Sequence, residues 1–278
     1  MRLLKQLVVV AVVAGVGSLL ANAVQPNWFF TLLFGFATAV LALLAYRWVV
    51  RRTEHREPAE LSWQGAGAPL GRGALIGAGM FVAVISVIAV FGGYRMTGWG
   101  SVPGALALLG FMAAAAVTEE LLFRGILFRI IEPRLGTWTT LVLTSLVFGL
   151  AHLANPHATL LSVLAIGVEA GGMLAAGYAA TRTLWLPIGL HFAWNFVEGG
   201  IFGAGVSGKS GTQGLVHAVT SGPTAISGGE FGPEASLVTV LVGLAITAVF
   251  MRLARKRGNV LPRRGRTAPA DATATLAR

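Results

Sequence analysis

The stretch VTEELLFRGILF, residues 117–128, sets two adjacent carboxylates and an arginine inside a run of apolar residues. Helix ends and loops aside, the other hydrophobic segments hold few ionisable groups: His152, Glu169, His191 and Glu198. A charge left unpaired in hydrocarbon is costly, so such residues mark functional sites unless they pair to fix helix packing. Convergence from four helices favours the functional reading. Glu120 and Arg124 stand at i, i+4 with the acid first, the favourable order for an ion pair along a helix. Glu119 points about 100° away from that pair. Glu120–Arg124 is therefore read as a brace and Glu119 as the working group, since a carboxylate withdrawn from water is a stronger base than an exposed one. HFAWN (191–195) places His191 and Asn195 one turn apart, an imidazole and an amide suited to a developing oxyanion. Glu198 continues that stripe and Glu169 lies in EAGG. A packing or supporting place beside the site is expected of both.

These groups need a membrane scaffold, and the composition supplies one. The chain has 278 residues, 55% hydrophobic and 12% charged, with mean hydropathy +0.74. Soluble chains carry roughly 25% charged residues. The net charge of +10 does not mark a nucleic-acid-binding face, because 8 of the 21 Lys and Arg lie from Arg252 onward and others cluster between hydrophobic segments. That distribution fits attraction to lipid headgroups and a cytoplasmic bias. Cysteine is absent, which removes disulfides, thiolate metal sites and cysteine nucleophiles. The start MRLLK with SLLANA resembles a signal peptide, but a second hydrophobic segment follows at once, so an uncleaved first helix is expected.

The expected fold is all-α and polytopic, with about eight transmembrane spans at 6–24, 28–49, 74–93, 104–128, 138–155, 158–180, 184–201 and 235–252. A cytoplasmic N-terminus puts Arg51, Arg52, Arg56, Arg72, Arg129, Arg134, Arg182 and the tail on the inside, leaving chiefly Arg95 and Lys209 outside. Both termini are thus expected to be cytoplasmic. The organisation expected is a pair of N-terminal helices with a basic loop (1–73), a six-helix core (74–253) and a basic, disordered tail (254–278), in which 258–278 lacks any hydrophobic period. Residues 203–233 read as a Gly/Ser/Thr-rich external loop, and GPEAS after it as a helix start. No internal repeat is evident, which weakens a transporter reading.

EPRLGTW (132–138) reads as a tight helix–helix turn with Gly136 as C-cap. Glu119 lies 17 positions before Gly136 and His152 16 after it. An antiparallel hairpin brings the two level, roughly 15 Å deep if the boundary lies near Arg129. The small residues of AAAA (113–116) let a neighbouring helix approach.

Rival hydrolases fail on residue type. An aspartyl intramembrane protease needs two aspartates, and the chain has one, Asp271. GVSG (205–208) resembles a serine nucleophile motif but falls in the external loop. The H-E-x-x-H pattern of zincins is absent, although Glu119, His152 and His191 could still hold zinc from separate helices. What remains is a glutamate-activated water with histidine help. A non-catalytic scaffold or bacteriocin-immunity protein and a proton-coupled transporter using Glu119, Glu169 and the histidines are the competing readings.

EELLFR (119–124), FGLAH (148–152) and HFAWN (191–195) together resemble the E-E-x-x-x-R, F-x-x-x-H and H-x-x-x-N/D motifs of the CPBP, or Abi, family of intramembrane proteases, which includes the type II CAAX prenyl endopeptidases. The resemblance covers about residues 70–200. It implies that Glu119 and His152 activate water, that His191 and Asn195 bind the oxyanion, and that Glu120 and Arg124 support them, with Phe148 lining the site. It also implies no cofactor or metal, and a peptide or membrane-protein substrate. Glu169 and GGEFGPEAS lie outside the family pattern. The Arg-, Ala- and Gly-rich composition points to a bacterial plasma membrane, so prenylated substrates are not carried over.

Overall fold

The computed structural model describes residues 1–209 and 214–263. Apolar sequence and capping residues together set the helices. Helix α1 spans Arg2–Ala23, and α2, Trp28–Glu54, begins where Asn27 accepts the amides of Phe29 and Phe30. Helix α3 is Gly67–Val90. Helix α4, Val102–Leu135, is capped by the Ser101 hydroxyl; α5 is Thr137–Ala154. Thr159 and Ser162 form a reciprocal cap at the start of α6, Leu160–Thr181. Helix α7 follows at 185–201, and Ser236 caps α8, Leu237–Lys256.

Seven of these helices are long and apolar enough to cross a membrane. The eighth, α7, is shorter, with 11 α-helical residues continued by 6 in π-helical form. It is nearly wholly buried, whereas the outer helices turn residues such as Leu19, Phe29, Leu33, Trp48, Leu146 and Leu244 outward. The protein is a multi-pass, all-α membrane protein. An exposed apolar shell is the expected surface when the solvent is lipid.

Small residues bring the inner helices together. A Cβ on Gly77 of α3 would stand 2.2 Å from the Leu190 carbonyl of α7, and one on Gly243 of α8 would stand 2.7 Å from Cα of Glu169 on α6. Only hydrogen at these positions permits such approaches. Gly136 ends α4 with φ 75° and makes the tight turn into α5.

Three helices change pitch. Helix α4 is π-helical over Leu121–Phe128, α6 over Gly167–Gly172 and α7 over Phe196–Ile201. Insertions of this kind recur at functional sites because they re-aim side chains, and these directly follow Glu120, enclose Glu169 and directly follow Asn195.

The 203–233 loop carries a strand: Val216–Thr220 (β2) pairs antiparallel with Tyr94–Trp99 (β1), the strand just after α3, with a bulge between Met96 and Gly98. Two expectations need correction. GPEAS does not start a helix in its own first turn; Pro233–Ala235 is a 3₁₀ turn, and α8 begins at Leu237. Nor does the tail lose order at 258. Leu261 accepts the amide of Thr137 at 3.0 Å and donates its own to the Thr137 hydroxyl at 2.8 Å, while Arg182 joins Glu132 and the Asn259 carbonyl. Polar bonds of this sort carry no hydrophobic period. Residues 264–278 of the expected disordered tail lie outside the described residues.

Candidate active site

The π-helical turn of α4 follows the two glutamates, and each takes a different set of partners. Glu120 is fully buried and accepts a 2.7 Å hydrogen bond from Arg124 Nη1. Its Oε1 also lies 3.0 Å from His191 Nδ1 on α7. Arg124 donates further to the carbonyls of Ala170 and Gly171 in the π-helical turn of α6, and its guanidinium sits 4.7 Å from the centre of the Phe148 ring. One buried cation thus links α4, α5 and α6. Its donors are met by a carboxylate and by carbonyls, which is what a buried guanidinium requires.

Glu119 is turned toward a cavity of about 190 Å³. Its Oε2 lies 4.0 Å from His152 Nε2 and 3.9 Å from His191 Nε2. Both separations exceed direct hydrogen-bond length and fit groups that share a bridging molecule. The same oxygen is buried without a partner among the described residues. His152 is fixed by Nδ1, which donates to the Phe148 carbonyl at 2.8 Å, leaving Nε2 toward Glu119. Phe148 lies against both imidazoles, with ring centres at 4.8 Å from His152 and 6.3 Å from His191. Asn195 lines the same cavity. The hairpin turn at Gly136 therefore sets Glu119 and His152 side by side, and α7 adds His191 and Asn195.

The two outlying acids separate. Glu169 lines the cavity, only 1% exposed, and neither carboxylate oxygen has a partner among the described residues. Glu198 is not among the lining residues. It is wholly buried and accepts from Trp194 Nε1 at 3.0 Å.

Sequence reasoning missed the wall opposite. The 203–209 segment does not stand clear of the site: Val206, Ser207 and Lys209 line the cavity with Glu234. Ser207, in the left-handed region at φ 48°, donates both its amide and its hydroxyl to Glu234 Oε2 at 2.7 Å, and its carbonyl accepts from Asn155. Burial, the largest influence, holds the Glu234 carboxyl above the ordinary carboxylate value, against the Ser207 bonds and the pull of the two histidines. The signals available were GVSG and the acid of GPEAS, but 27 residues separate the partners and no period connects them. The serine hydroxyl donates its hydrogen bond to a carboxylate, not to a histidine. Among the described residues no three His or acidic side chains group so as to hold a metal ion.

Fold and site together define a polytopic helical membrane protein with a buried Glu/His cavity. Residues 99–197 match the family model described as Type II CAAX prenyl endopeptidase Rce1-like, within the CPBP family. The matched segment holds all three motifs and ends before Ser207 and Glu234. It supports a CAAX-type intramembrane protease in general, acting on peptide within a membrane. No curated protein and no solved structure matches the chain.

Proposed function

We propose that the protein is an intramembrane endopeptidase in which Glu119 and His152 activate a water molecule. The observation that carries this reading is the Glu119 carboxylate, held beside two imidazoles on the wall of a cavity inside the helix bundle. The water oxygen attacks the scissile carbonyl carbon and its proton passes to Glu119. Glu119 returns that proton to the leaving nitrogen as the C–N bond breaks, giving a carboxyl and an amine terminus. His152, oriented by the Phe148 carbonyl, holds the water from its Nε2 side.

Charge developing on the carbonyl oxygen falls to α7. Asn195 donates an amide hydrogen whatever the protonation of its neighbours. With Nδ1 of His191 donating to Glu120, its Nε2 donates only when the ring carries both protons. Glu120 and Arg124 fix the position of that imidazole and need not touch substrate.

The test compares new peptide termini in the membrane proteome of cells making the wild-type protein or Glu119→Gln. Termini that depend on Glu119 are expected and should be reproduced by the purified wild-type protein. Cleavage by purified Glu119→Gln at the wild-type rate would remove the mechanism. A phenotype that survives Glu119→Gln without any cleavage would instead favour a non-catalytic role.

A further inference from the structure

The mechanism above leaves two acids on the cavity wall unused, and of these Glu234 is already bonded to Ser207. Glu169 is buried in the π-helical turn of α6, and among the described residues nothing donates to either of its oxygens. A buried carboxylate without donors is strongly unfavourable, so such a group asks for a partner that arrives from elsewhere. The lining is also unbalanced in charge. Glu119, Glu169 and Glu234 face the cavity, and beyond the two imidazoles its only cationic side chain among the described residues is Lys209. The Lys209 ammonium is already placed 4.9 Å from the centre of the Phe111 ring.

We propose that Glu169 is a specificity-determining residue, forming a subsite that receives a lysine or arginine side chain of the peptide substrate. This rests on the protease reading given above. The surroundings suit such a side chain along its length. Ile166, Met173 and Leu174 line the cavity near Glu169 in sequence and offer apolar surface to the methylene stem. Long basic side chains bury their stems against apolar surface while the charged head finds polar partners. Glu169 supplies the charge at the end. Its backbone is held from behind by Gly243, where any side chain would collide with Glu169 Cα and Cβ, so the carboxylate is presented from a fixed base.

The probe is a set of fluorescein-labelled octapeptides of leucine and alanine, each with one lysine, arginine or norleucine walked through every position. Binding is measured by anisotropy to full-length Glu119→Gln protein in nanodiscs, and cleavage by the wild-type protein is followed in parallel. Norleucine keeps the stem and removes the charge, so the comparison isolates the ion pair. At one position the basic peptide should bind at least about tenfold more tightly than its norleucine counterpart. Adding Glu169→Gln should erase that preference, and Glu169→Asp should restore part of it.

Glutamine copies the shape of a neutral acid, so a purely packing role for Glu169 predicts no change on Glu169→Gln. No binding, no preference at any position, or a preference that survives Glu169→Gln would each overturn the subsite. Glu169-dependent binding with no cleavage by the wild-type protein would instead sink the protease reading and leave the subsite standing.

Discussion

Glu120 Oε1 stands 3.0 Å from His191 Nδ1, and that contact ties α4 to α7 across the base of the site. The same oxygen accepts from Arg124, so one buried atom serves both an imidazole and a guanidinium. Replacing Glu120 by Gln keeps the shape but removes the charge that both partners share. At metal sites, partners that orient a ligating imidazole typically contribute about 10–100-fold to activity, and the same scale is taken here for a partner that orients a free one. We expect Glu120→Gln to lower kcat by about that factor with KM little changed, measured on whichever peptide the wild-type protein cleaves. Equal losses in kcat and in folded protein would point to a structural role alone.

Asn195 offers the simpler test of the oxyanion site. Loss of one such donor typically costs about 10²–10³ in kcat. Asn195→Ala is expected to fall in that range with substrate binding retained, because the amide meets the oxygen mainly after charge develops. A rate within about threefold of wild type would remove Asn195 from the mechanism.

Particular residues show how far sequence alone could reach. The Glu119–His152 approach could be read by counting from Gly136, because one sharp turn sets the two helices it joins antiparallel and side by side. The Glu120–Arg124 pair followed from helical spacing in the same way. The changes of pitch after Glu120, around Glu169 and after Asn195 leave no mark in hydropathy, since they change backbone bonding and not composition. The Ser207–Glu234 wall was hidden because an irregular loop gives no period from which to infer where it folds back. The order of residues 258–263 was hidden for a related reason: Leu261 docks on Thr137 through its own backbone amide and carbonyl, which carry no pattern in the sequence.

Ser207 lies on the cavity wall with a hydroxyl bonded to a carboxylate, so its chemistry must be tested directly. As a strut that holds Glu234, it can be replaced with modest loss. Ser207→Ala should retain cleavage within about tenfold of wild type. A serine-directed phosphonate should leave the wild-type protein unlabelled at position 207 by mass spectrometry. Complete loss of cleavage together with covalent labelling of Ser207 would move the nucleophile from water to serine.

Away from the cavity, Glu60 is one of the carboxylates, with Glu54, whose lowered values should make the fold sensitive to acid. Glu60 lies in the turn between α2 and α3, bonded to Arg56 through both oxygens and to the Tyr46 hydroxyl at 2.6 Å. Burial alone would raise its carboxyl. The Arg56 bonds, the nearby charge of Arg129 and the Tyr46 hydroxyl outweigh that effect and hold it below the ordinary value of 4.5. A group depressed on folding stabilises the native state fully above its unfolded value and loses that contribution as pH falls through the lower, folded one. The unfolding temperature of the solubilised protein should therefore decline as pH drops below about 4.5. Glu60→Gln should unfold at a lower temperature near neutral pH, because Arg56 and Arg129 lose a buried counter-charge, yet show a shallower acid decline. Parallel acid limbs for the two proteins would show that protonation of Glu60 does not drive the loss.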